Sequence, residues 1–372
     1  YGSLGSETKG DRNVAVGVHT LISQNNTSDL DSYNVAVGYD AGRAITTGVN
    51  NTIIGSRSGD ALTTGAENVA IGHQALSAET TGDTNVAIGS NAMSSATLAR
   101  RNVAVGFQAL QDLTYSSLTL SYNVGVGHAA GANITSGVQN TILGGLAGDA
   151  ITTGSQNIAI GYQALSAEDT GQRNIAIGSF ALSSQNVDGL TYNVAIGYGA
   201  GSNVSTGTVN TIVGGLAGDA LTEGNSNVAI GHQALTKETL GDRSVAVGLG
   251  ALSTQNNTSD VDVYNTAVGY LAGGAISTGG LNTLIGGQAG DALTIGNSNT
   301  AIGYGSLGSE TKGDRNVAVG VNTLFTQNNT SDLDSYNVAI GYSAGFAMTT
   351  GIQNTIMGGL AGDSLTTAGK KR

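Results

Sequence analysis

The sequence predicts an all-β protein built as a parallel β-solenoid, and three observations support this fold class. The segment Asn-Val-Ala-Val-Gly at 13–17 returns, with small changes, twenty times, and fourteen of the nineteen steps between copies are 17 residues long. Self-similarity at a short fixed period indicates a repeat architecture. The chain has 59 glycines and no proline, and its apolar residues do not follow the 3.6-residue period of a helix. The copies open at residues 13, 34, 51, 68, 85, 102, 123, 140, 157, 174, 193, 210, 227, 244, 265, 282, 299, 316, 337 and 354.

One repeat, here called a coil, is numbered from its opening residue, which is position 0 and is Asn in every coil except that of Ser244. In the coil 68–84, Val69 and Ile71 are β-branched, lie two residues apart and are bounded by Asn and Gly, which predicts a short strand. Ala75–Ser77 is a weaker strand candidate, and residues 80–83 have the composition of a turn. We expect the Asn side chains of successive coils to form a hydrogen-bonded ladder.

Seventeen residues do not divide into the hexapeptides of a three-sided β-helix, so we expect a flattened, two-sided β-roll of about 20 coils. Parallel stacking at about 4.8 Å per coil would give a rod on the order of 95 Å long. Because the repeat never breaks, we predict a single continuous solenoid over residues 1–372. Residues 1–42 reappear at 304–345 with five differences, and the chain starts in mid-repeat. We therefore expect it to be a fragment of a longer fibre.

The predicted strand is apolar on both faces, which is typical of strands buried on both sides. Positions 1 and 3 carry Val, Ile, Thr or Leu in most coils, and position 2 is mostly Ala. We expect the small Ala column to face a neighbouring chain or a tight sheet contact. Its members include Ala70, Ala87, Ala159, Ala176, Ala195 and Ala229.

Composition and motifs argue against several classes of protein. The formal net charge of −12 disfavours a nucleic-acid partner, which needs a basic face. No apolar run approaches the roughly 20 residues of a membrane span. The chain has no cysteine, so thiol catalysis and cysteine-ligated metals are excluded. No Ser-His-Asp or paired-carboxylate arrangement stands out. We therefore predict no enzyme activity, no catalytic residue and no cofactor other than, at most, calcium.

Five longer coils contain bulges, and three of the bulges share Asn-Asn-Thr-Ser-Asp. A solvated turn is the simpler interpretation, and the alternative is calcium or ligand contact, because clustered Asp and Asn oxygens suit calcium. The candidate ion or ligand contacts are Asp29, Asp31, Asp260, Asp262, Asp332 and Asp334. Every bulge ends in a Tyr, which we expect to cover the roll while the Asp pair points to water. These residues are Tyr33, Tyr122, Tyr192, Tyr264 and Tyr336.

Position 5 forms an aromatic column that we interpret as a surface feature able to stack on sugars. It contains His73, His128 and His232 together with Tyr39, Phe107, Tyr162, Tyr198, Tyr270, Tyr304 and Tyr342. Position 12 is Thr in thirteen of twenty coils, from Thr46 to Thr366. A flat Thr array can bind ice, but position 13 varies from Thr47 to Leu98 and Lys312. The alternative to a fibre is a single-chain solenoid that binds a ligand, either calcium at the bulges or ice at the Thr array.

The coil Asn-Ile-Ala-Ile-Gly-Tyr-Gln-Ala-Leu at 157–165, followed by Thr-Gly and a return to Asn, resembles the repeats of two protein groups. One is the head of trimeric autotransporter adhesins, and the other is the 17-residue repeat of phage tail-fibre-like proteins. The resemblance implies a parallel homotrimer of left-handed β-rolls that serves in surface attachment. It also implies an extracellular location, on a virion tail fibre or a bacterial cell surface, and a host or cell-surface receptor such as a glycan. The 21-residue coils depart from the pattern.

Overall fold

The computed structural model describes residues 2–26 and 31–367. It divides into two compact units, 1–191 and 192–372, hereafter unit 1 and unit 2. Each unit is a parallel β-solenoid, which confirms the predicted fold class. The described residues contain no helix, and hence none that could cross a membrane. The single continuous solenoid over 1–372 stays a prediction.

In unit 1, the strand at positions 1–3 of each coil pairs in parallel with its counterpart in the next coil. The register never slips, so that Val69 lies opposite Val86 and Ile71 opposite Ile88. This is the strand position that the repeat predicts. The strands are Val14–Val16, Val35–Val37, Thr52–Ile54, Val69–Ile71, Val86–Ile88, Val103–Val105, Val124–Val126, Thr141–Leu143, Ile158–Ile160 and Ile175–Ile177.

Unit 2 repeats this arrangement, with Val228 opposite Val245 and Ile230 opposite Val247. Its strands are Val194–Ile196, Thr211–Val213, Val228–Ile230, Val245–Val247, Thr266–Val268, Thr283–Ile285, Thr300–Ile302, Val317–Val319, Val338–Ile340 and Thr355–Met357.

The longer coils carry short extra strands that pair in parallel with the coil before them. Thr97–Arg100 pairs with Thr114–Leu120, Gly241–Asp242 with Val261–Asp262, and Gly313–Asp314 with Leu333–Asp334. The bulges are therefore attached to the solenoid through backbone hydrogen bonds.

The second strand predicted at Ala75–Ser77 is wrong, because this part of the coil is a run of turns. Gln74 and Leu76 have φ of 56° and 54°, and such left-handed residues break the pleat of a strand. The backbone still bonds to both neighbouring coils. The Gln74 N–H donates to Ser56 C=O (3.0 Å), and the Leu76 N–H donates to Ala92 C=O (2.9 Å).

Position 4 is Gly in every coil because two backbones meet there. Gly214 has φ of +137°, and a Cβ on it would lie 2.5 Å from the carbonyl oxygen of Gly231 in the next coil. Only Gly adopts this φ readily, so a column of glycines closes the strand.

The predicted Asn ladder is confirmed. The Asn68 backbone N–H and side-chain amide both donate to Asn51 Oδ1, at 3.0 and 3.2 Å, and the amide also donates to the Gly82 carbonyl at 3.0 Å. The opening Asn is buried in all coils except the outermost ones of 13 and 354. Each Asn thus joins two coils and closes its own coil, which makes it part of the architecture.

The interior of each coil is filled by one of two sets of side chains. In ten coils position 8 is Leu or Met, as at Leu76 and Leu235, and this side chain is fully buried. In the other ten, position 8 is Gly and position 11 is apolar, as at Gly148 and Ile151. A Cβ on Gly148 would lie 2.9 Å from the Ile151 Cδ1. The two sets fill the same space from different positions, as close packing requires.

Of the two alternatives expected for the Ala column, contact with a neighbouring chain is wrong, and a tight contact within the single chain is found instead. Ala70, Ala159 and Ala229 have no exposed surface even in the single chain, because position 2 points into the coil. The interior holds Ala beside a Leu at position 8, whereas Ile occurs at position 2 only where position 8 is Gly. The larger side chains at positions 1 and 3 point outward instead.

Positions 1 and 3 therefore point outward on each unit, and together they form a mainly apolar strip in which position 1 is Val, Ile or Thr. In unit 2, position 3 is aliphatic or Met in all ten coils, and Ile196, Ile230 and Ile285 are 38, 37 and 39% exposed. The strands keep these side chains in register along the unit. We name this surface the apolar strip.

Candidate functional site

The bulges hold a recurring cluster of Arg, Asp and Tyr. The Arg243 guanidinium lies 5.8 Å from the centre of the Tyr264 ring and forms an ion pair with Asp262, whose other oxygen accepts the Tyr264 hydroxyl at 3.2 Å. Arg315, Asp334 and Tyr336 repeat this arrangement, with the guanidinium 5.6 Å from the ring centre. Cation–π contact and ion pairing together fix each bulge where it rejoins the coil.

Unit 1 carries the same cluster at Arg12 and a variant of it at Arg101. Arg12 lies 5.5 Å from the Tyr33 ring centre and pairs with Asp31 at 2.7 Å. Arg101 stacks on Tyr122 at 5.7 Å and donates to its hydroxyl at 2.7 Å. The residue two before Tyr122 is Leu120, so this cluster lacks the carboxylate.

The candidate ion contacts do not share one environment. Asp31, Asp262 and Asp334 each face an arginine but keep 35 to 44% of their side chains exposed, and Asp260 and Asp332 are exposed. Asp29 lies outside the described residues. Among the residues that are described, no group of three or more His, Cys, Asp and Glu is placed to hold a metal ion. Both Asp residues of the described pairs 260/262 and 332/334 reach water as predicted, and the second of each pair also faces an arginine.

A buried glutamate in the coil before a bulge holds the bulge in place, and the sequence analysis missed it. Glu310 is fully buried. Its Oε1 accepts the N–H of Thr311, Lys312 and Gly313, and also that of Asn329 in the bulge, at 2.8 to 3.1 Å. Its Oε2 accepts the Asn329 side-chain amide at 3.0 Å. Charge-assisted bonds of this kind are the stronger ones.

The same arrangement recurs at other bulges. Glu238 accepts the Asn257 N–H at 3.0 Å and the Gln255 amide at 2.8 Å. Glu168 accepts the Gln185 amide at 2.9 Å, and burial raises the pKa of Glu168, partly offset by the Gln185 and Gly171 hydrogen bonds. A sequence pattern could have predicted these glutamates. Each lies at position 11 of its coil, and the next coil is longer and has Gln at position 11.

The Thr hydroxyls at position 12 bond within the protein rather than forming an open array. Thr63 Oγ1 donates to the Thr80 carbonyl at 2.9 Å, and Thr222 and Thr294 repeat this bond to the next coil at 3.1 and 2.8 Å. Their hydrogens are directed along the coil stack, so they are poorly placed to match a lattice of water.

The aromatic column at position 5 is exposed. Tyr198, Tyr270, Tyr304 and Tyr342 are 61, 55, 56 and 60% exposed, and His232 is also exposed. In unit 2 these five rings occupy every second coil, and the coils between them carry Gly, Leu or Val at this position. Backbone bonds fix the column, as where the Asn322 N–H donates to the Tyr304 carbonyl at 2.9 Å.

Two adjoining hollows open beside the column near the end of unit 2. The first, of about 300 Å³, is lined by Gln288, Asp291, Tyr304, Gly305, Gly308, Asn322 and Phe325. The second, of about 360 Å³, is lined by Asn322, Tyr342, Ser343, Phe346, Leu360 and Asp363. We call the two together the Tyr304 groove, because they share Asn322.

The walls of the Tyr304 groove are aromatic and its polar groups are amides and carboxylates. Phe325 and Phe346 stack in parallel with ring centres 5.5 Å apart. Burial raises the pKa of Asp291, partly offset by backbone hydrogen bonds. No family model and no curated protein matches the chain.

Proposed function

We propose that this chain is a non-catalytic segment of a structural fibre used in surface attachment. The observation that supports this most strongly is the apolar strip. Each coil presents two outward side chains at positions 1 and 3, and strand register keeps them aligned along each unit. Extended exposed apolar surfaces mark interaction sites.

The partner best matched to the strip is another copy of this chain. The side chains of the strip repeat once per coil. A partner that packs along the strip therefore needs side chains with the same coil-to-coil spacing. Two further parallel copies meet that need, and the resemblance to trimeric adhesin heads and phage tail-fibre repeats supports three left-handed rolls. The apolar strips would then face one another around a common axis.

A fibre also accounts for the bulges. Arg–Tyr clusters and buried glutamates attach several of them to the coils, and rigid scaffolds commonly display binding segments in this way. We propose an extracellular location, on a virion tail or a bacterial surface, and a host or cell-surface receptor as partner. Nucleic acid does not fit a chain with a net charge of −12.

Sedimentation equilibrium with and without EDTA tests this proposal against a single-chain binding solenoid. The expected result is three times the chain mass of 36.9 kDa in both conditions. A stable single chain would contradict the fibre proposal. Loss of β structure in EDTA would favour the calcium-binding alternative.

A further inference from the structure

We propose that the Tyr304 groove binds an extended, uncharged, β-linked polysaccharide. The inference names the chemical class of partner for the attachment role proposed above. It also places that partner on positions 5, 6 and 9 of the coils, away from both the bulges and the apolar strip.

The lining of the Tyr304 groove combines aromatic faces with an amide. Tyr304 and Tyr342 are exposed on one side, and the Phe325–Phe346 pair lies on the other. Between them, Asn322 offers both amide donors and an acceptor. Flat aromatic faces with a few convergent polar groups are typical of ligand sites, and sugars present an apolar ring face together with hydroxyls.

Two glycines beneath the Phe325 ring shape the Tyr304 groove. A Cβ on Gly305 would lie 2.8 Å from Asn322 Oδ1 and 3.3 Å from the Phe325 ring, and one on Gly308 would lie 3.1 Å from that ring. The absence of side chains at these two glycines leaves room for the Phe325 ring to lie flat. The two hollows together are lined by residues of five successive coils, which suits an extended chain better than a compact molecule.

The chain contains a second copy of this region in its internal duplication. Residues 1–42 and 304–345 differ at only five positions, and three of the replacements, Asn322, Phe325 and Ser343, line the Tyr304 groove. Their counterparts are His19, Ile22 and Asp40. The next residue along, Phe346, corresponds to Arg43.

These replacements change the character of the surface. In the first copy, His19 lies 3.2 Å from Asp40, and Arg43 lines the adjacent hollow. The later copy has exchanged this charged surface for amide, hydroxyl and aromatic groups. Two nearly identical segments therefore differ mainly at the groove, which indicates a specialised role for it.

The spacing of the exposed rings matches the repeat of an extended sugar chain. Tyr304 and Tyr342 are two coils apart, which is about 9.6 Å at the ordinary strand separation. One sugar of an extended β-1,4-linked chain advances by close to one coil, so every second sugar meets a ring. The same spacing continues in unit 2 through Tyr270, His232 and Tyr198.

A proline-rich peptide has a similar repeat, about 9.3 Å per three residues, but it matches the polar groups less well. Asp291 and Asp363 line the groove, and carboxylates need donors. Proline has no N–H, whereas every sugar unit has hydroxyls. The carboxylates also disfavour acidic glycans.

The test is isothermal titration calorimetry of the whole chain with cellohexaose, chitohexaose and β-1,4-mannohexaose. At least one should bind, and Tyr342→Ala should weaken its binding roughly tenfold, which corresponds to about 1.4 kcal/mol of stacking. Glu223→Ala, at an exposed carboxylate of the same unit outside the groove and the bulge clusters, is the control and should bind as the unaltered chain does.

A second variant copies the surface of the first segment and so keeps a side-chain set that the fold already accommodates. It combines Asn322→His, Phe325→Ile, Ser343→Asp and Phe346→Arg, and should abolish binding while preserving the circular dichroism spectrum. Absence of binding by all three sugars, undiminished binding by this variant, or binding of a decaproline peptide alone would overturn the inference. A trimer that binds no sugar refutes only the groove, and a single chain that binds sugar refutes only the fibre.

Discussion

Replacing Glu310 should release the bulge at 328–335 without unfolding the main strands. In Glu310→Ala, the fully buried carboxylate that joins the Thr311–Gly313 turn to Asn329 is lost. The strands at 317–319 and 338–340 keep their own backbone pairing. The effect should therefore be a local opening.

The magnitude follows from the number of donors left unpaired. Asn329 is 3% exposed; its N–H loses its acceptor, and its side-chain amide loses one of two acceptors while keeping Ser335 Oγ. At about 1–3 kcal/mol for each buried unsatisfied group, the opening free energy should fall by roughly 2–6 kcal/mol. Glu310→Gln keeps one oxygen but turns an NH₂ group toward the Asn329 amide, so it should cost roughly 1–3 kcal/mol.

Hydrogen–deuterium exchange measures this directly. Amides of residues 328–335 should exchange at least roughly 30-fold faster in Glu310→Ala and at an intermediate rate in Glu310→Gln. Glu223→Ala, at an exposed carboxylate in the same unit, is the control. If Glu310→Ala exchanged like that control, the buried carboxylate would not be what holds the bulge.

Two further predictions concern the coil itself. Gly214→Ala should destabilise by roughly 2–5 kcal/mol in urea denaturation because its Cβ would meet the Gly231 backbone at a φ that only Gly favours. Gly215→Ala, whose Cβ would lie 3.5 Å from the His232 ring, should change stability by less than about 0.5 kcal/mol, and equal effects would refute the close-approach argument. Burial raises the pKa of Asp149, and within the described chain its Oδ1 is buried without a hydrogen-bond partner. Since the folded-state pKa lies above the unfolded one, ionisation removes stability as pH rises above the ordinary carboxyl pKa. Asp149→Asn should therefore gain melting temperature over the unaltered chain increasingly from pH 4 to pH 7, whereas the exposed Asp188→Asn should not, and a pH-independent difference would contradict the assignment.

Local pattern was enough to predict the strands and the Asn ladder. Val69 and Ile71 between Asn68 and Gly72 have strand propensity and fixed boundaries, and the constant period sets the register. The turn at Gln74–Leu76 was not predictable from propensity, because its left-handed φ values arise from bonding between coils.

The sequence did not show which face of the strand points inward. Large residues at positions 1 and 3 and Ala at position 2 look the same whichever face is buried. The deciding signal was a pairing of positions: Ile142 occurs with Gly148, whereas Ala159 occurs with Leu165. The Tyr304 groove was also missed, because it joins side chains from five coils.

The central claim is that position 3 forms the association surface and position 2 the interior. Sedimentation of two variants, one changed at position 3 and one at position 2, tests it. Ile196, Ile230 and Ile285, each changed to Glu in one variant, should leave the circular dichroism spectrum intact and reduce the assembly to single chains. Ala229→Glu places a charge in a position with no exposed surface, so it should lose β structure instead. An unaltered assembly of the triple variant, together with a folded Ala229→Glu that sediments as single chains, would contradict the account.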